Sequence, residues 1–254
     1  MSRFRSAART DVGMKREHNE DSFLVNEDLG LYVVCDGMGG HAGGETASRL
    51  AVQTVEKELI SARLRTDDPY ASTASVADTP LASALREAIE GACGMVFRTS
   101  RSQPELAGMG TTCIALLLHG DVAVVGHVGD SRAYLVREGG ILQLTEDHSL
   151  VNEQVRAGLL TAEEAKHSRL RNIITRSVGF EEDVLVDVVG LESKAGDRFL
   201  LCSDGLSNLV ETDEIRAAFA AASDPAQVCK SLIALANERG GDDNITVIAV
   251  ERTG

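Results

Sequence analysis

Five aspartates stand where apolar runs start or stop. Asp36 closes LYVVCD, Asp130 follows VAVVGHVG, Asp204 follows RFLLCS, Asp243 sits in GGDDNITVIAV ahead of the last apolar run, and Asp21, in HNEDSF, opens another. One aspartate at a strand end is ordinary turn chemistry, because its carboxylate accepts from nearby backbone N–H groups. Five from distant parts of the chain, brought to one sheet end, would repel and raise one another's pKa unless cations neutralised them. Oxygen ligands of this kind suit Mg²⁺ or Mn²⁺, hard ions that keep several waters and need few protein groups. Asp36, Asp130 and Asp204 each touch a glycine, which lets a backbone carbonyl approach an ion with no side chain in the way.

Other chemistries fit the residues less well. The glycines of DGMGGHAGG, residues 36–44, resemble a phosphate cradle, but no G-K-[ST] follows to complete a Walker-type loop. There is no H-E-x-x-H, and His18, His41, His119, His127, His148 and His167 are isolated along the chain, which argues against zinc. A net charge of -14 opposes nucleic acid or an acidic membrane as partner. Surplus carboxylates also have a plain reading, a solvated acidic surface. The cysteines Cys35, Cys93, Cys113, Cys202 and Cys229 form no C-x-x-C pair and mostly lie inside apolar runs, so they read as reduced core thiols. The start MSRFRSAART lacks the apolar stretch of a secretory signal, and no segment approaches the roughly 20 apolar residues that span a bilayer. The expected location is cytoplasmic.

The elements that must position the acids are legible as short runs between turn signals. Strands are expected at 4–8, 22–26, 31–35, 112–118, 122–128, 132–137, 141–144, 184–191, 198–202 and 245–250. The tight turns HGD, residues 119–121, and EGG, residues 138–140, favour antiparallel neighbours. Two helices are expected between the third and fourth strands, with apolar stripes Ala47, Leu50, Ala51, Val55, Leu59 and Leu81, Leu85, Ala88, Ile89, Ala92, Val96. A later pair carries Ile215, Phe219, Ala222 and Val228, Leu232, Leu235. Helix pairs around strand blocks predict helical layers over an antiparallel core, an α+β fold. Residues 62–80, rich in Ala, Ser, Thr and Asp, read as a mobile surface loop. Residues 147–178 read as a helical insertion with a Thr161-x-x-Glu164 capping box, either a lid near a site or a plain connection. Residues 1–254 read as one domain.

The segments TDVGMKREHNEDSF, YVVCDGMGGHAGGE, GMGTTCIALLL, HVGDSRAYLV, LTEDHSLV, FLLCSDGLSNLV and GGDDNITVIAV follow one another here. Taken together, from about Arg9 to Val250, they resemble the metal-dependent Ser/Thr protein phosphatases of type 2C, above all the bacterial form. The resemblance implies a four-layer α-β-β-α sandwich, two packed antiparallel sheets flanked by helix pairs, with two Mn²⁺ or Mg²⁺ ions in a cleft at one end. Asp36 would bridge the ions, with the Gly37 carbonyl on one and Asp204 and Asp243 on the other. Glu20 and Asp21 match acids that act largely through metal-bound water, and Asp130 with Asp204 matches a third-metal position. Arg16, in D-x-G-x-x-R-x-x-N-E-D, resembles the arginine that clamps the substrate phosphate, for which its planar fork is suited.

On this resemblance, water shared by two ions about 4 Å apart becomes hydroxide and attacks phosphorus in line. One departure concerns the proton donor. Eukaryotic relatives carry histidine directly after the DG, whereas this chain has Met38, whose thioether cannot donate. His41, His148 or metal-bound water could substitute, and the two histidines have structural readings as well. Thr111, Thr112, Ser131, Arg132, Ser203 and Asn244 read as groups that orient the acids. The insertion at 147–178 matches the flap of bacterial relatives and is expected to border the substrate groove. The implied function is removal of phosphate from phosphoserine and phosphothreonine in phosphoproteins, in opposition to a Ser/Thr kinase, by a free-standing monomer. Two rival readings remain, a binding module that kept the fold without the chemistry, and a hydrolase of a small phosphoester or of one dedicated phosphoprotein.

Overall fold

A computed structural model of the chain describes residues 4–39, 42–63 and 79–254. Most of the stretch read as a surface loop at 62–80, and His41, lie outside those residues. The first three strands, β1 (Phe4–Asp11), β2 (Asp21–Asn26) and β3 (Leu31–Met38), precede the helix pair α1 (Ala42–Arg63) and α2 (Pro80–Ser102). The central run is β4 (Gly110–Thr111), β5 (Cys113–His119), β6 (Val122–Val128), β7 (Arg132–Arg137) and β8 (Gly140–Gln143). Two short helices, α3 (Leu150–Arg156) and α4 (Ala162–Lys166), lead to β9 (Asp187–Glu192) and β10 (Arg198–Cys202). The one-turn α5 (Asp204–Ser207), the pair α6 (Thr212–Ala221) and α7 (Pro225–Glu238), and β11 (Ile245–Arg252) complete the order.

The strands form two antiparallel sheets. One runs β1-β11-β10-β7-β8; the other runs β2-β3-β5-β6-β9, with β4 paired to β3. Their facing sides interdigitate through Tyr32, Val34, Ile114, Leu116, Phe199, Leu201 and Ile248, all buried. The outer face of the second sheet packs Val33, Ala115 and Val124 under α1 and α2, and that of the first packs Leu200, Val247 and Ala249 under α6 and α7. Because successive side chains in a strand alternate faces, continuous apolar runs such as Leu31–Cys35 supply both layers at once. Each large apolar side chain buried this way contributes about 1.5–3 kcal/mol relative to exposure. The result is the four-layer α-β-β-α sandwich.

Strands β6, β7 and β10 have the expected bounds; the other seven expected strands differ, most at β1, β3 and β9. β1 continues to Asp11 because β11 pairs with all eight of its residues. β3 continues past Asp36 to Met38 because Gly37 and Met38 pair with Thr111 and Gly110. β9 begins at Asp187 rather than 184, since Val184 and Val186 pack into the cluster under α2 instead of pairing. In the insertion, the Thr161–Glu164 capping box is present at the start of α4.

Candidate active site

Asp36 reaches its place through the strand that carries it. Asp21, the first residue of β2, lies directly opposite it in register. The Asp36 backbone N–H donates to Thr112 Oγ1 at 2.9 Å, while Thr111 Oγ1 and the Thr112 N–H both donate to the Asp36 carbonyl at 2.8 Å. Thr112 Oγ1 is also 2.7 Å from Ser131 Oγ, so the GMGTT and GDSR segments are tied together beside Asp130. These hydroxyls hold the backbone that aims the acids. Gly37 is required for packing: a Cβ there would lie 2.2 Å from the Gly44 carbonyl oxygen and 2.6 Å from that of Glu20.

The amino-terminal approach is fastened by Asn244. Its Nδ2 donates to the carbonyls of Val12 at 3.0 Å and His18 at 2.9 Å, and its Oδ1 accepts from the Glu20 N–H at 2.8 Å. That brace holds the loop bearing Arg16 against the start of β11. Arg16 Nη2 donates to Asp243 Oδ2 at 2.7 Å, with both side chains partly exposed.

Arg16, Glu20, Asp36, Gly37, Asp130, Asp204 and Asp243 all line one cleft of about 1010 Å³. Asp21 is not part of the lining; it sits behind the cleft, buried, with Oδ2 accepting from Ser203 Oγ at 2.8 Å. Asp21 Oδ1, Asp130 Oδ1 and Asp204 Oδ1 are buried and have no hydrogen-bond partner among the described residues. Asp204 Oδ2 accepts from Asn208 Nδ2 at 2.9 Å.

The electrostatics follow from this crowding. Burial, then the charges of Asp21 and Asp204, pushes the Asp36 carboxyl well above the usual range. Burial raises Asp21 to about 7 against the bonds from Thr246 and Ser203, and burial with the Asp204 charge raises Asp130 to about 8. Asp204 is raised by burial and by Asp243. Crowded acids with bare oxygens, offset only in part by Arg16 and Arg132, are an energetic liability that divalent cations would remove. The donor set, all oxygen and open to a cleft, fits hard ions such as Mn²⁺ or Mg²⁺.

His148 stands apart from this cleft. Its Nδ1 accepts from the Gly129 N–H at 3.0 Å, which leaves the proton on Nε2, 3.1 Å from Asp187 Oδ2; Arg176 of the cleft lining donates to Asp187 Oδ1 at 2.9 Å and lies 3.2 Å from the same Nε2. His127 stacks on it with centroids 4.6 Å apart, and its Nε2 lies 2.9 Å from the Glu146 carbonyl. His127, His148 and Asp187 are close enough together to suggest a metal group, yet a metal on Nε2 of His148 would need the lone pair that the proton occupies. Burial holds both rings below the usual histidine range. The pair is a neutral brace for the turn that carries Asp130.

The reading from sequence reached only part of the opposite wall. Lys15, His18 and residues from Asn172 to Leu185, including Arg176, Phe180 and Leu185, also line the cleft. The end of the 147–178 insertion thus borders it, whereas no residue of α3 or α4 does. The signal for Lys15 and His18 was the KREH run around Arg16. For the wall, the expectation that the 147–178 insertion borders the groove covers Asn172 to Ser177, and no signal marked Phe180 to Leu185.

A sandwich of two antiparallel sheets with an acid-lined cleft at its edge is the architecture of a metal-dependent phosphatase, and the comparisons agree. Residues 14–237 match the family described as protein phosphatase 2C. The chain is 39% identical over 250 residues to the serine/threonine phosphatase stp of Listeria monocytogenes, covering 96% of this chain and 94% of that one. Among solved structures, the Mycobacterium tuberculosis serine/threonine phosphatase PstP aligns with a TM-score of 0.87 at 35% identity over 99% of each chain. The PstP catalytic domain in complex with two manganese ions aligns with a TM-score of 0.85, at 35% identity and 99% coverage of each chain. The chain belongs to the type 2C family of serine/threonine protein phosphatases.

Proposed function

We propose that the chain hydrolyses phosphoserine and phosphothreonine in proteins with two cations, Mn²⁺ or Mg²⁺, held by Asp36, Gly37, Asp204 and Asp243. Asp130 with Asp204 would take a third ion, and Glu20 and Asp21 would act through water. The observation that carries this reading is the set of buried carboxylate oxygens on Asp21, Asp130 and Asp204 that have no hydrogen-bond partner among the described residues. When bound, the ions supply positive charge that lowers the pKa of a shared water toward neutrality and stabilises the phosphoryl oxygens during in-line attack.

The protein's own groups orient and balance charge. Arg16, now on Asp243, is placed at the cleft mouth where its fork can turn to two phosphate oxygens. Asp36 presents its carboxylate from backbone that Thr111 and Thr112 hold in place, so the acid needs no main-chain rearrangement at the moment of reaction. In this reading His148 does not serve as proton donor to the leaving alkoxide, which its place behind Arg176 and its bonds to Gly129 and Asp187 support.

In this reading residues 1–254 are one catalytic domain with a flap at 147–178. A Ser/Thr kinase supplies the substrate, because only phosphoryl transfer to a hydroxyl makes it. A cytoplasmic place is supported by the free and buried state of all five cysteines. Among the described residues no helix is long and apolar enough to cross a membrane. The test is phosphate release from a phosphothreonine peptide and a phosphotyrosine peptide, in Mn²⁺ and in chelator. Release in Mn²⁺ that favours phosphothreonine and stops in chelator is expected; release unaffected by chelator overturns the reading.

A further inference from the structure

The cleft has two unlike walls. One carries the acids and Arg16. In the other, Phe180 and Leu185 are 70% and 68% exposed, and both line the same cavity as Asp36 and Asp204. Large apolar side chains grouped at a cleft mouth mark a binding surface more often than scattered ones do.

Their exposure is imposed by anchors on either side. The Val178 N–H donates to the Thr111 carbonyl at 2.8 Å, and the Thr111 N–H donates back to that of Val178 at 3.0 Å. The Gly179 N–H donates to Cys93 Sγ, and Cys93 Sγ donates to the Glu181 carbonyl, each at 3.3 Å. Gly179 has φ +91°, and a Cβ there would lie 2.2 Å from Val96 Cγ1, so the turn is pressed against α2 and accepts only glycine. Val186 is buried in the core cluster on the far side. Phe180 and Leu185 are thereby held outward on a fixed segment. Glu181 and Asp183, between them, line the cleft as well.

We infer that this wall docks the substrate segment next to the phosphorylated residue and selects a large apolar side chain accompanied by Lys or Arg. The apolar side chain covers Phe180 and Leu185, and the cation faces Glu181 and Asp183. The inference rests on the phosphatase reading. A phosphoprotein segment, rather than a second copy of this chain, is the occupant because the wall is continuous with the proposed reaction centre. A net charge of -14 also disfavours self-association through an acidic surface.

The test uses the Mn²⁺-loaded protein and four phosphothreonine peptides. They pair Leu or Ala with Arg or Gln on one side of the phosphothreonine, and a second set of four places the same pairs on the other side. The wild type should favour Leu with Arg over Ala with Gln in kcat/KM by about tenfold, the scale of burying much of one large apolar side chain. In Phe180→Ser/Leu185→Ser the preference for Leu over Ala should shrink to within about twofold while the preference for Arg persists. Since both side chains are exposed, the double variant should fold, as an unchanged Tm would show. Equal rates on all peptides, or a Leu preference that survives the double substitution, overturns the inference and leaves the phosphatase reading standing. Hydrolysis of no peptide overturns both.

Discussion

Strand β10 is flanked by two aspartates in opposite surroundings, Asp197 buried and Asp204 half-buried with one oxygen shut off from solvent. Asp197, one residue before it, accepts from Arg137 Nε and Nη2 at 2.7 Å each and from the Lys194 N–H at 2.7 Å. Burial alone would raise its carboxyl, but these bonds hold it below the usual range. Asp204, two residues beyond the other end, has one oxygen with no partner among the described residues, and burial together with Asp243 raises it. Both ends bury a carboxylate oxygen, so burial does not separate a fastener from a ligand. Saturation separates these two: both oxygens of Asp197 are bonded by the chain and hold the fold, whereas Asp204, lining the cleft, keeps one oxygen bare.

Matched substitutions at the two ends sharpen the contrast. Asp204→Asn, like Asp36→Asn in the same cleft, should lower Mn²⁺-dependent phosphopeptide turnover by roughly a thousandfold or more, since it removes charge where ions are held. The metal-free variant should melt no lower than wild type, because a mutual repulsion has gone. Asp197→Asn should do the reverse. Losing an ionic partner for Arg137 costs about 2 kcal/mol, or roughly 5 °C in Tm, while kcat/KM stays within about twofold. A dead Asp197→Asn enzyme of normal Tm would break the comparison. A smaller effect belongs to Arg16→Ala. It should raise KM about tenfold, the scale of one charge-assisted hydrogen bond, with a lesser change in kcat, read from steady-state kinetics.

The sequence disclosed the acids more fully than their surroundings. Asp36, Asp130, Asp204 and Asp243 sit at sharp breaks in apolar runs because the core ends where the cleft begins, and β6, β7 and β10 are bounded by the same breaks. The extension of β3 past Asp36 was hidden, since its partner β4 is two residues long and leaves no periodicity. Helix α5, four residues beginning at Asp204, was hidden for the same reason, being too short to show a period. Asp21 was grouped with the cleft acids, and only the bond from Ser203, 182 residues away, shows it standing behind them. The part of the second wall beyond the insertion was illegible because Phe180 is turned outward by contacts to α2, and an apolar residue in sequence carries no sign of which way it faces.

The account stands most directly on a calorimetric Mn²⁺ titration of the metal-stripped protein at pH 6 and pH 8. Asp21 and Asp130, raised to about 7 and about 8, hold protons that must leave before ions bind. In the absence of metal, acids raised in the folded state favour folding less as pH climbs through those values. Two or more Mn²⁺ per chain, bound more tightly at pH 8 than at pH 6 with proton release, and markedly more weakly in Asp36→Asn, is the predicted result. No binding, or binding that neither pH nor Asp36→Asn alters, would contradict the claim that the bare carboxylates form a cation site.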